Sequence, residues 1–210
     1  MIRILVVDDH EIVRRGLRQV LAEAFPAAQL EEADSSETAL AAVASTPWDL
    51  VLLDVAIPGR SGLEVLEDAR RLRPGMPVLM VSAYPEEEFA VRCLRLGAAG
   101  YVTKSTASVE LVAAARKALS GGKYVTAKLA ERLVEVLGGE GQAAPHEALS
   151  TRELQVLRLV ASGRSTKEIA AELHLSEKTI GTYRARISEK LGLSTAVELT
   201  RYALRHGLAS

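Results

Sequence analysis

Along the first 120 positions, short apolar runs that close on a charged or hydroxyl residue alternate with amphipathic stretches. Ile2 to Val7 is mostly β-branched and closes on Asp8-Asp9, after which Ile12, Val13, Gly16, Leu17, Val20 and Leu21 recur at helical spacing. Leu30 to Ala33 makes a second extended stretch, and Ser35-Ser36 opens a helix carrying Ala39, Leu40 and Val43. Leu50 to Leu53 is continuously apolar and closes on Asp54; beyond Pro58-Gly59, Leu63, Leu66, Ala69 and Leu72 mark the next helix. Val78 to Val81 closes on Ser82 ahead of an amphipathic stretch from Glu86 to Leu96. Tyr101-Val102 is a fifth short strand ending near Lys104, followed by a helix marked by Val109, Leu111, Val112, Ala115 and Leu119.

Five strand and helix pairs in alternation predict an α/β domain, a doubly wound five-stranded parallel sheet, because parallel strands require crossover connections. Ligands in such folds sit beyond the carboxyl ends of the strands, where Asp8, Asp9, Asp54, Ser82 and Lys104 all fall. The pattern then changes. Ala127 to Leu137 reads as a further helix and Gly138 to Pro145 as a flexible linker. Ser150 with Glu153, and Ser165 with Glu168, are capping boxes that open short helices, the second over 166–173. Ser176 caps a third helix that holds Ile180, Ile187 and Leu191 and ends at Gly192; a fourth runs from Thr195 to His206. The expected organisation is a sheet domain over 1–120, a helical extension and linker over 121–147, and a smaller all-α domain over 148–210.

Composition fits this picture. With 48% hydrophobic and 25% charged residues among 210, the chain is neither disordered nor low in complexity, and two domains fit its length. No apolar run approaches a membrane span, no export signal is expected at the N-terminus, and a lone cysteine, Cys93, suits a reducing cytoplasm and packs at core spacing with Phe89, Ala90 and Leu94. The net charge of -1 is unevenly spread: residues 1–137 hold 16 Lys/Arg and 19 Asp/Glu, residues 149–210 hold 10 and 6. A basic module can approach phosphates, and a solvated helical surface has the same composition.

Clustered carboxylates raise one another's pKa and call for a cation. Hard oxygen donors suit Mg²⁺, for which Asp9, Asp54 and the backbone carbonyl of Ala56 are candidate ligands, with Asp8 acting through water. One carboxylate is then a nucleophile for a phosphoryl group whose oxygens Ser82 and Lys104 stabilise. Asp8-Asp9, Asp54 with Pro58-Gly59 and Gly62, Ser82-Ala83 and Gly100-Tyr101-Val102-Thr103-Lys104 resemble the receiver domain of two-component response regulators, a flavodoxin-like fold. The resemblance implies that Asp54 accepts phosphate from a sensor histidine kinase, that Ser82 and Lys104 read the acyl phosphate, and that Tyr101 is a switch aromatic turning inward as Ser82 moves. Ile57 stands where many relatives have Met, a volume-conserving change.

Ser150-Thr151-Arg152-Glu153, Leu157, Ala161-Ser162-Gly163, Lys167-Glu168-Ile169-Ala170, Leu173, Leu175-Ser176, Lys178-Thr179-Ile180 and Lys190-Leu191-Gly192 resemble the LuxR-type helix-turn-helix. Together the halves resemble the NarL/FixJ family of response regulators and its GacA/BvgA-like branch. The resemblance implies a phosphorylation-switched transcription regulator, homodimeric on activation, that binds an inverted repeat in double-stranded DNA. The recognition helix lies over about 177–190, with Lys178, Thr179, Thr182, Tyr183 and Arg186 toward DNA and Lys167 and Arg184 toward phosphates. Relatives often carry Lys and His where this chain has Gly181 and Tyr183, so the base contact those residues supply does not carry over. Glycine within a helix costs about 0.5–1 kcal/mol relative to Ala, offset by close approach to DNA or tolerated as drift. The last helix, with Val197, Leu199, Tyr202 and Leu204, is core or a dimer face. An aspartyl-phosphate hydrolase wants a second carboxylate two residues after its nucleophile, where this chain has Ala56, so no enzyme is expected. A quorum-sensing receptor would need an apolar ligand pocket in place of the acidic edge. A phospho-regulated protein-interaction adaptor with weak or no DNA binding is the alternative.

Overall fold

Strands β1 (Arg3–Val7), β2 (Gln29–Ala33), β3 (Leu50–Leu53), β4 (Val78–Ser82) and β5 (Gly100–Thr103) pair in parallel in the order β2-β1-β3-β4-β5. The computed structural model describes residues 1–106, 108–137 and 145–209, which group into two compact units, Met1–Val134 and Glu135–Ser210. Helices α1 (Glu11–Ala24), α2 (Ser36–Ser45), α3 (Gly62–Leu72), α4 (Glu86–Arg95) and α5 (Ser108–Leu119) follow the strands in turn, and α6 (Ala127–Leu137) comes after them. β3 and β4 are apolar throughout because helices cover both faces of the sheet, while β2, at an edge, is mostly exposed. Ile4, Val6, Leu50, Leu52, Leu79 and Val81 pack with Leu21, Phe25, Leu111 and Ala115 in one continuous core.

Strand order reverses direction between β1 and β3, and Val7 pairs with Leu53 in register. The next residues, Asp8 and Asp54, are therefore neighbours at the switch point of the sheet. Ile12 and Val109, which the helical spacing assigned to cores, are 87% and 80% exposed. Each lies in the first turn of its helix, so periodicity is right but no sheet lies beneath to cover the side chain. Leu72, the last residue of α3, is exposed for the same reason at the opposite edge.

The second unit contains a 3-10 turn (Pro145–Ala148) and helices α7 (Thr151–Ala161), α8 (Thr166–Glu172), α9 (Glu177–Leu191) and α10 (Ala196–Arg205). Pro145, expected in the linker, begins that turn; the rest of the expected linker, 138–144, lies outside the described residues. Ser150 with Glu153, Ser165 with Glu168 and Thr195 with Glu198 close capping boxes on α7, α8 and α10, and Ser176 accepts from the Thr179 amide on α9. His174, at φ 53°, turns the chain between α8 and α9, and Gly192, at φ 65°, ends α9 in the left-handed conformation that glycine adopts without strain. Glu153 also accepts from Lys190 of α9 at 2.7 Å, so one carboxylate seals α7 and holds α9.

The caps and the Lys190 pair hold the carboxyls of Glu153, Glu168 and Glu198 below their ordinary range, net of a burial effect that opposes this most at Glu153. A lowered folded pKa contributes stability that is present above the unfolded value near 4.5 and is lost as pH falls through the folded one. Helical content followed by circular dichroism on heating is expected to show the second unit's transition shifting down below about pH 4.5. Glu153→Ala is expected to lower that transition by several degrees at pH 7.

Candidate functional site

Asp8 and Asp54, at the ends of β1 and β3, are buried, as is Ser82 at the end of β4. The ammonium of Lys104, just beyond β5, lies 2.6 Å from Asp8 Oδ2 and 2.8 Å from Asp54 Oδ2. The Ala56 amide donates to Asp54 Oδ1 at 3.2 Å, and the His10 amide to Asp8 Oδ1 at 2.9 Å. His10 Nδ1 stands 2.7 Å from Asp9 Oδ1, and ligand atoms from Asp8, Asp9, His10 and Asp54 lie within 4.8 Å of one another. Gly62 lets the chain after β3 fold back here: a Cβ on it would stand 1.9 Å from the Asp54 carbonyl oxygen.

Burial pushes the Asp54 carboxyl up to about 6; Lys104 and the Ala56 amide oppose the rise, and the neighbouring Asp8 charge adds to it. Burial works against the Lys104 charge as well, but Asp54 and Asp8 overcome it and hold the ammonium above its ordinary range. Two carboxylates thus share one lysine ammonium and a third, Asp9, lies in the same cluster, leaving an excess of negative charge among hard oxygen donors, which suits a divalent cation such as Mg²⁺. Ser82 Oγ accepts from the Tyr84 amide at 3.2 Å. Tyr101 is buried, turned inward, and donates its hydroxyl to the Tyr84 carbonyl at 2.8 Å. Ile57 is buried in the loop after Asp54, as a volume-conserving replacement allows.

In the second unit α9 buries Ile180 and Ile187 and exposes Lys178, Gly181, Thr182, Ala185 and Arg186. Thr179, Tyr183 and Arg184 are half-buried: Thr179 Oγ1 sits 2.8 Å from Ser176 Oγ in the cap, and Arg184 donates to Thr166 Oγ1 at 3.2 Å, tying α9 to the start of α8. Lys167 is exposed on α8.

Residues 4–116 match the response regulator receiver domain family, and 147–203 the bacterial regulatory proteins of the luxR family. The chain belongs to the NarL/FixJ family of response regulators. It is 39% identical over 208 residues to the response regulator GacA of Pseudomonas protegens, covering 99% of this chain and 98% of that one. It is 35% identical over 211 residues to the response regulator UvrY of Escherichia coli K12, covering 100% and 97%. Among solved structures it resembles RcsB from Salmonella enterica serovar Typhimurium, bound to promoter rprA in the presence of the phosphomimetic BeF3−, with TM-score 0.63 and 26% identity over 96% of this chain and 97% of that one.

In this response regulator the fold brings together Asp8, Asp9, Asp54, Ser82 and Lys104, as the strand ends required. Three contributors were not anticipated, two at the acidic edge and one on the helical unit. His10 follows the aspartate pair directly, so adjacency was its signal; the Tyr84 backbone, which joins Ser82 to Tyr101, left none. Ala185, four residues after Gly181, was accessible from helical spacing and completes the exposed face of α9. Cys93 is buried, with burial pushing its thiol up to about 12, so it is an inert core residue.

Because the folded Asp54 pKa lies above the unfolded 3.8, the folded form holds the extra proton, and stability falls as pH rises from about 3.8 to about 6. In chelator, Asp54→Asn is expected to stabilise the receiver by on the order of 2 kcal/mol at pH 8, with the gain vanishing near pH 4. Urea titration read by Trp48, the single tryptophan and a buried one, checks this. At position 181 a Cβ meets nothing within 4 Å, so Gly181→Ala is expected to stabilise the helical unit by about 0.5–1 kcal/mol in thermal melts without DNA.

Proposed function

We propose that a sensor histidine kinase phosphorylates Asp54 and that this modification switches sequence-specific DNA binding, and hence transcription, through the helical unit. The observation that carries the reading is a carboxylate buried at a strand end with an ammonium 2.8 Å away and two further aspartates beside it. An Asp54 oxygen attacks the phosphorus of a phosphohistidine; the O–P bond forms, the P–N bond breaks, and the imidazole departs with the electron pair. Asp9, Asp54 and the Ala56 carbonyl would hold Mg²⁺, with Asp8 through a water, and the bound ion supplies positive charge against the phosphoryl oxygens. Lys104 exchanges one carboxylate partner for a phosphoryl oxygen, and Ser82 turns its hydroxyl toward another.

Ser82 and Tyr101 both bond to Tyr84, through its amide and its carbonyl, so movement of Ser82 is felt at Tyr101. That linkage supports Tyr101 as the switch aromatic. On the helical unit, Lys178, Thr182 and Arg186 face DNA; Lys167 contacts phosphate, Arg184 does so while bracing α8, and Thr179 and Tyr183 line the margin of the face. Pairing of receivers after modification would join two helical units and raise their effective concentration on an inverted repeat. Among the described residues no helix is long and apolar enough to cross a membrane, and the reading places the protein in the cytoplasm.

Binding-site selection from random duplexes, with the full chain treated or not with acetyl phosphate and Mg²⁺, tests both halves. Inverted-repeat sites are expected to be enriched mainly after treatment, and Asp54→Asn is expected to lose that gain. Equal enrichment without treatment would remove the switch; absence of enrichment in both samples would favour a protein-binding adaptor.

A further inference from the structure

The exposed face of α9 is unusually bare at its centre. Lys178, Gly181, Thr182, Ala185 and Glu189 recur at three- and four-residue spacing and are all exposed. Gly181 has no side chain and Ala185 ends in a methyl. Thr182 commits its hydroxyl to the Lys178 carbonyl at 3.1 Å, which leaves its methyl as the group presented to an incoming surface. Polar reach is confined to the margins, with Lys178 toward the start of the helix, Arg186 alongside and Glu189 toward the end. The missing side chain at 181 serves no packing need among the described residues of the helical unit, since a Cβ there would meet none of their atoms within 4 Å.

We propose that the centre of α9 reads thymine by its 5-methyl group, through the methyls of Thr182 and Ala185, with the helix seated close to the groove floor over Gly181. The inference rests on the DNA-binding reading above and narrows it: the middle of each half-site carries A·T pairs, while Lys178 and Arg186 hold phosphates or flanking bases. In the major groove thymine alone among the bases offers a methyl, which apolar side chains recognise without a hydrogen bond. A bidentate hydrogen-bonded contact to guanine or adenine from this centre lacks a donor or acceptor of sufficient length. Arg184, the other cation at mid-helix, donates to Thr166 of α8, so it does not fill the gap.

The test replaces thymines of a selected duplex, one at a time, by deoxyuridine, which removes the methyl and leaves every hydrogen-bonding group in place. Affinity of the phosphorylated full chain is then read by fluorescence anisotropy. One or two thymines per half-site are expected to lose about fourfold each on replacement, the ratio that one buried methyl carries. Thr182→Ser keeps the hydroxyl and removes the methyl, so it is expected to weaken the parent duplex by a similar factor and to abolish the deoxyuridine effect at one of those thymines. Ala185→Gly is expected to do the same at another; since it also loosens the helix, Thr182→Ser is the deciding variant. Binding of every deoxyuridine duplex within twofold of the parent would overturn methyl readout while DNA binding stands. A deoxyuridine penalty that persists undiminished in Thr182→Ser would overturn the assignment to this face. Failure to select any duplex would bring down the DNA-binding reading and this inference together.

Discussion

Two buried carboxylates must be kept side by side at the ends of adjacent strands, and much of the receiver is arranged around that requirement. Asp8 and Asp54 are neighbours because β1 and β3 pair in register, and they tolerate each other because Lys104 reaches both from beyond β5. The lysine reaches across from beyond β5 past the end of β4, where its own amide donates to the Ser82 carbonyl at 2.7 Å. Desolvation still wins at Asp54, whose proton affinity stays raised despite the ammonium. The site therefore favours added positive charge beside Asp54.

The helical unit solves a different problem, that of holding a helix firmly on one side while leaving the other free. Ile180 and Ile187 fix one face of α9 in the core, Lys190 pins its end to Glu153, and Arg184 braces it against α8. Of helices α7 to α10, three are sealed by a glutamate at the third position, so their starts are set by local chemistry. Little of the α9 outer surface is then needed for stability, which is how a glycine can sit at its middle.

The fold was legible because strands buried on both faces must be continuously apolar and each ends on a polar residue. Asp8, Asp54, Ser82 and Lys104 could be placed at one edge from those endings alone. Helical spacing located the helices correctly but not their burial at the ends, since Ile12 and Val109, second in α1 and α5, are exposed. Contacts made by backbone were invisible, since the Tyr84 amide and carbonyl that join Ser82 to Tyr101 are common to every residue type. The cap residues Ser150, Ser165, Ser176 and Thr195 were legible because their chemistry is local. Arg184 was not, because its bond to Thr166 depends on how two helices cross.

The loop that follows Asp54 is latched at several points. The Gly62 amide donates to the Val55 carbonyl, the Ser36 amide to the Pro58 carbonyl, and the Arg60 amide to Ser36 Oγ, while Gly59 lies against Ser36 so closely that a Cβ would collide. Across the site, α4 opens on Pro85 with no side-chain cap, after a short loop whose Tyr84 holds Ser82 and Tyr101. The two walls are therefore restrained differently: the loop after Asp54 is closed by bonds to its own backbone and to Ser36, whereas the first turn of α4 is held from further along the chain, where Thr126 donates to the Glu86 carboxylate at 2.8 Å and Lys128 pairs with Glu87. One wall of the pocket thus depends on the chain beyond the sheet, and the other does not.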